Sequence, residues 1–401
     1  MMKNAMFHLL KYTFPVWLLA AWSCNKSSVG NPPAPTPGTT PITWDVVDVG
    51  TPGAESRSLI GPDKDSEGNP YVDPDWVTIE HACTSDAEGG EGKAIGIWAD
   101  YTYMDTDGME TTIKDLFQGT RLIYDTGAGA NTWNYEGGDL YWLMGGKYKF
   151  RAYFPQELNQ YVVSSTNATT FVIQYPTHQV QEDLLLAYNT TDTNDPQTDL
   201  NDPVELRLKH GLAALRFRIK ANFANSDELT SCYLQNSDTR DFATSGMLAY
   251  GSEANEESIS WVMGYYPPVT ERIYYWSNDG IPFSTDDTGN ATAAMAYSQT
   301  GATAGEMYTQ NNGWVLILPQ PSSGNLRFCF TTKQGDKAIY SVTIPKVTER
   351  TDNGDGTFTE STDYLPGKRY TYTITISRTD VELTLSVADW NERDSSHSII
   401  F

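Results

Sequence analysis

The chain of 401 residues carries 51 acidic against 27 basic side chains, a formal charge of −24, and such an imbalance repels phosphate backbones and argues against a nucleic-acid partner. Its length suits two domains, each large enough to bury a core without covalent staples. The acidic residues are scattered singly, as at Asp100, Asp105, Asp107, Asp183 and Asp192, which suits a solvated exterior better than an acidic binding patch.

At the N-terminus, Lys3 and Lys11 precede or flank the start of the apolar run Tyr12–Trp22, which ends at Ser23 and Cys24. A charged segment followed by roughly 7–15 apolar residues is an export signal, whereas a spanning helix needs about 20. Pro15 also interrupts the run. Ser23 is the small residue that a lipoprotein peptidase needs before an acylated cysteine, with Ala21 standing where a leucine-like residue is usual. The alternative is an ordinary secretory peptide with Cys24 merely nearby. Asn25–Pro41 is rich in Ser, Pro and Gly and reads as a semi-rigid spacer that lifts a domain off a membrane. Residues 1–23 are therefore expected to be a signal peptide and Cys24 the lipidated residue, placing the chain at the outer membrane. Past Cys24 only Cys83, Cys232 and Cys329 remain, too few for a disulfide framework, although one bridge plus one thiol is open. Cys329 lies in the alternating run LRFCFT, where a small buried hydrophobe is expected.

The body reads as all-β. Alternating apolar runs recur at Ala94–Tyr103, Tyr148–Phe154, Val204–Lys220, Leu326–Thr332, Ala338–Ile344 and Tyr370–Ile376, with Gly, Asp, Asn and Pro clusters between them. This spacing points to sandwiches or barrels. Tyr370–Ile376 and Val381–Val387 are predicted to form a hairpin, and Asp352–Gly356 a second hairpin tip between Ile344 and Phe358. A calcium loop at that tip lacks its bidentate acid, because Thr362 stands at position twelve. Asn189–Pro203 is almost devoid of apolar residues and is the predicted interdomain boundary; Ser252–Glu257 and Ser277–Gly289 read as exposed loops.

No catalytic, metal or cofactor site is predicted. His81, His178, His210 and His397 are far apart, without partners at metal-ligand spacing, and no nucleophile elbow, phosphate loop or zinc-protease motif occurs. His210 falls inside a strand pattern, where a structural hydrogen bond is expected. A carboxylate couple for glycoside hydrolysis is open by composition, but nothing selects one pair. Trp98, Trp133, Trp142 and Trp390 fall in strand patterns and are expected in cores, while Trp276 and Trp314 border loops and are candidates for stacking on a sugar or a partner.

Several segments taken in order resemble the fimbrillin family of Bacteroidales, the pilin-like lipoproteins of surface fimbriae. They are Tyr148–Pro155, Asp183–Ala187, Pro203–Lys220, Leu365–Thr375 and Val387–Trp390. The resemblance implies two tandem transthyretin-like β-sandwich domains, here expected at 58–198 and 199–401 after a lipidated linker and removable strand at 24–57. It also implies assembly by strand exchange: an arginine-specific protease removes an N-terminal strand, and the vacated groove accepts a strand from another subunit. Ile42–Val49 has strand propensity and is followed by the Gly/Pro linker Thr51–Glu55 and then Arg57 and Ser58, the predicted cleavage pair. Ser398–Phe401 is short for a donor strand, so a tip or accessory position fits at least as well as a stalk. The implied partners are other fimbrial subunits, the outer membrane through the lipid before cleavage, and host or bacterial surface receptors. The rival expectation, from the lipid tether and Trp276 and Trp314, is a glycan-binding surface lipoprotein.

Overall fold

The computed structural model describes residues 35–48, 79–85, 87, 89–127, 131–163, 171–177, 180, 182–221, 228–250, 259–282, 284–285, 291–293, 315–332, 339–352, 357–376, 381–389 and 397–400. The chain is all-β, and nearly every alternating run of the sequence is a strand. Leu326–Thr332 has the predicted bounds, Ile95–Met104 and Gly146–Phe154 are close to them, and Lys368–Ile376 pairs antiparallel with Val381–Asp389 as the predicted hairpin. Glu349–Asp352 pairs with Phe358–Ser361 around the second predicted tip, whose residues 353–356 lie outside the described residues.

The first half closes into a barrel in the order Leu185–Asp192, Val204–His210, Trp44–Asp48, Thr132–Tyr135, Glu110–Asp125, Ile95–Met104 and Gly146–Phe154, which returns to the first strand. Alternation builds its interior. Tyr148, Phe150, Ala152 and Phe154 project from one strand into a core with Ile97, Tyr101, Leu122 and Leu206. The other face of that strand is also covered, because Tyr153 joins a second core. Tyr153 lies flat over Gly96, its register partner, where a Cβ would come within 2.4 Å of the ring.

The second half is a sandwich. One sheet centres on Ala213–Ala221 and Lys368–Ile376, which run parallel, with Val381–Asp389 and His397–Ile400 beyond. The facing sheet is ordered Ile273–Pro282, Glu228–Asn236, Leu326–Thr332, Ile339–Ile344. Phe217 fills the space between them, stacked 4.2 Å from Phe328 and 5.5 Å from Tyr372.

The strands differ from the sequence expectation in two places, at 204–220 and at 277–289. Val204–Lys220 is not one strand: it divides at Gly211 and Leu212, with Val204–His210 in the barrel and Ala213–Ala221 in the second sheet. The polar segment Asn189–Pro203 holds the end of the strand Leu185–Asp192 and the exposed connection to its antiparallel partner Val204–His210. The loop expected at 277–289 is strand from Ser277 to Pro282, where pairing with Glu228–Asn236 overrides local polarity.

The halves interlock. Val162–Val163 and Phe171–Pro176 share one sheet with Ser245–Tyr250 and Ile259–Tyr265. Beneath it Trp98, Tyr153, Leu186, Leu212, Leu248 and Leu316 form one core with contributions from both sides. At the crossing the Gly211 amide donates to the Leu184 carbonyl at 2.7 Å, and the Trp261 indole donates to the Gly211 carbonyl at 3.1 Å. Beside it, His210 Nδ1 meets Asp183 Oδ2 at 2.9 Å in a buried pair, the structural role expected for this histidine.

Candidate functional site

One barrel strand is unlike the others. Trp44–Asp48 reaches the barrel from far upstream, separated from the next described element, Ile79–Cys83, by residues 49–78. It lies parallel to Val204–Leu208, in register from Trp44 opposite Val204 to Asp48 opposite Leu208. On its other flank it meets Thr132–Tyr135 at a single pair, Trp44 with Trp133. The barrel is thus stitched along one side of this strand and barely closed along the other.

The segment alternates strictly. Ile42, Trp44 and Val46 are buried, whereas Thr43, Asp45 and Val47 face solvent. Trp44 is the anchor: its ring stands edge-on to Tyr135 at 5.4 Å and to Phe150 at 5.2 Å, and Phe117 closes the pocket 5.9 Å from Tyr135. Burying about 200 Å² of indole at about 25 cal/mol per Å² contributes on the order of 5 kcal/mol. The surroundings are dry enough that burial, with the neighbouring Tyr148 adding to it, holds the Tyr135 phenol well above its ordinary ionisation range.

A second attachment lies at the rim. Pro37–Pro41, expected to be the end of a spacer, pairs with Tyr141–Leu143. The Met144 amide donates to the Thr36 carbonyl at 3.1 Å and the Ile42 amide to the Leu140 carbonyl at 2.7 Å. Prolines at both ends remove two donors from this strand, which suits an outer edge. Gly38 makes the approach feasible, since a Cβ there would sit 3.1 Å from the Trp142 carbonyl oxygen. Trp142, fully buried, is itself fixed by donating to the Leu200 carbonyl at 3.1 Å.

The other sequence-derived positions are scattered. Cys24, Arg57, Ser58, Trp314 and Trp390 lie outside the described residues. Trp276 is placed within the strand Ile273–Pro282, opposite Cys232, and not at a loop border as expected; its side chain is outside the described residues. Trp98, Trp133 and Trp142 are buried as expected. Cys83 and Cys329 are buried free thiols, with burial raising the Cys83 thiol far above its usual range. Among the described residues no cluster of His, Cys, Asp and Glu could hold a metal ion, and no helix is long and apolar enough to cross a membrane. Sequence reasoning missed the groove lining, Tyr135, Phe117 and Leu206. Only Leu206 lay in an alternating run read from the sequence, and nothing local marked any of the three as a neighbour of residue 44.

Fold and groove define an all-β protein whose first barrel is completed by a strand from an N-terminal segment. The fimbrillin-like family model matches residues 82–390, and the chain belongs to that family. No curated protein matches it in sequence. Among solved structures it is similar to a candidate cell adhesion protein from Bacteroides uniformis, at 20% identity over 74% of this chain and 91% of that one, with a TM-score of 0.41. It is also similar to a fimbrial protein from Bacteroides vulgatus (13% identity, 74% and 92% covered, TM-score 0.39). A third is the C-terminally truncated tip fimbrial protein Mfa3 from Porphyromonas gingivalis (13% identity, 74% and 95% covered, TM-score 0.31).

Proposed function

We propose that this chain is a structural subunit of a cell-surface fimbrium acting in adhesion, delivered as a lipoprotein through Cys24 and made competent for assembly when cleavage between Arg57 and Ser58 frees its N-terminal strand. The observation that carries the reading is the seating of Trp44–Asp48 in the barrel, upstream of Arg57 and hydrogen-bonded firmly along one side only. Removing it would leave a slot between Val204–Leu208 and Thr132–Tyr135 with unpaired backbone on its walls and an aromatic pocket in its floor, which a strand from a neighbouring subunit would fill. Membership of the fimbrillin-like family supports a fimbrial role over a catalytic one. We read the two halves as tandem transthyretin-like domains with the chain crossing at Gly211 and Leu212. His397–Ile400 is paired to Thr384–Val387 of its own sheet, which favours a tip or accessory subunit that accepts a strand while keeping this one.

Mass spectrometry of subunits from purified surface filaments tests the reading. The expected N-terminus is Ser58, with residues 24–57 absent. Filament-borne protein that still begins at acylated Cys24 would refute cleavage as the trigger of assembly.

A further inference from the structure

The two halves share a topological device that specifies what the groove accepts. In each, the opening strand lies parallel to a late strand of its own sheet: Trp44–Asp48 beside Val204–Leu208, and Ala213–Ala221 beside Lys368–Ile376, which Val381–Asp389 and His397–Ile400 follow. The opening strands also carry one side-chain pattern. The first has Ile42, Trp44 and Val46 at alternate positions, and the second Leu215, Phe217 and Ile219. Ile42, Trp44, Val46, Leu215 and Phe217 are all buried, and in each strand the central aromatic meets aromatic rings from neighbouring and facing strands. The residues between them in the first strand, Thr43 and Asp45, face solvent.

We propose that the acceptor groove of the first barrel selects, from a neighbouring subunit, an extended segment of the pattern aliphatic, any, aromatic, any, aliphatic. The segment runs parallel to Val204–Leu208 and places its aromatic ring against Tyr135 and Phe150. This rests on the reading that the groove exchanges strands. The pocket decides specificity because backbone pairing accepts any sequence, whereas a ring-sized cavity left unfilled forfeits the contacts of its whole lining. A one-residue slip would turn the aromatic to solvent and two polar side chains into the core, so the pattern sets register as well as identity.

The test uses the full chain with a site-specific protease sequence inserted after Thr51, cut in the folded state, and fluorescent peptides that displace the noncovalently held segment. A peptide of residues 41–49 is expected to bind. Its Trp44→Ala form should bind about 100-fold more weakly, its Trp44→Phe form within about 10-fold, and a form with Asp45 and Trp44 interchanged as weakly as the alanine form. Equal binding by the alanine and parent peptides would overturn the selectivity while leaving strand exchange intact. Failure of every peptide, the parent included, to displace the segment would overturn the exchange reading and this inference together.

Discussion

The opening strands of the two halves each lie parallel to a later strand of their own sheet and are held very differently. Ala213–Ala221 pairs in parallel with Lys368–Ile376 from Ala214 to Ala221, and its other edge is occupied by Val315–Ile317 and Ala291–Ala293. Its reverse face contributes Ala214 to the core shared by both halves, and only Gly211 and Leu212 separate it from the barrel. Trp44–Asp48 has the parallel partner but a single pair on its free flank, a solvent-exposed reverse face and a long connection downstream. One parallel pairing thus sits in a strand held along both edges in the second half, and in a strand with a single pair on its other flank in the first. Local attachment in the first half is concentrated at Trp44, whose ring meets Tyr135 and Phe150.

The largest effects should separate the two central aromatics. Phe217→Ala is expected to cost about 4 kcal/mol in denaturant unfolding, because the ring is enclosed by fixed strands and the cavity cannot collapse. Trp44→Ala should cost less, about 3 kcal/mol despite the larger ring, since its strand can shift along the open seam. A Trp44→Ala loss greater than that of Phe217→Ala would break the comparison.

Next comes alkaline sensitivity. Burial pushes Tyr364 up to about 12, offset in part by its hydrogen bond with Tyr372, whose own ionisation burial holds well above the usual range. A group raised in the folded state contributes fully below its unfolded value, about 10, and its contribution is lost as pH rises from there through the folded value. Stability measured by denaturant titration should therefore be flat from this source up to about pH 10. It should then fall by about 2 to 3 kcal/mol towards pH 12 for Tyr364 alone. Tyr364→Phe should flatten that part of the fall, and an unchanged slope would remove the assignment.

The smallest effect probes the rim. Gly38→Val would crowd the Trp142 carbonyl and the Met144 sulfur and is expected to cost about 1 kcal/mol. Hydrogen exchange should show faster opening confined to residues 35–41, with the second half unchanged. Equal loosening of both halves would show that the rim is not a local attachment.

Much of the architecture was legible because strand alternation is a local property. Each run such as LRFCFT or YTYTITI shows its buried face in the order of its residues. The strand near Trp44 was legible for the same reason. The division of Val204–Lys220 was not read, because both parts alternate, although the apolar positions shift from Val204, Leu206 and Leu208 to Leu215 and Phe217, a one-residue change of phase at Gly211 and Leu212. The shared sheet of Phe171–Pro176 and Ser245–Tyr250 was equally hidden, since pairing between strands distant in sequence leaves no local mark.

The sequence alone determined the all-β class and the strand propensity of Ile42–Val49. These are read from composition and from the two-residue period of a strand. Only the tertiary structure decided that this segment lies parallel to Val204–Leu208, with Tyr135 and Phe150 around its tryptophan and one flank nearly unpaired. Partner, direction and seam depend on which distant strands come together, and that is settled by packing the whole barrel.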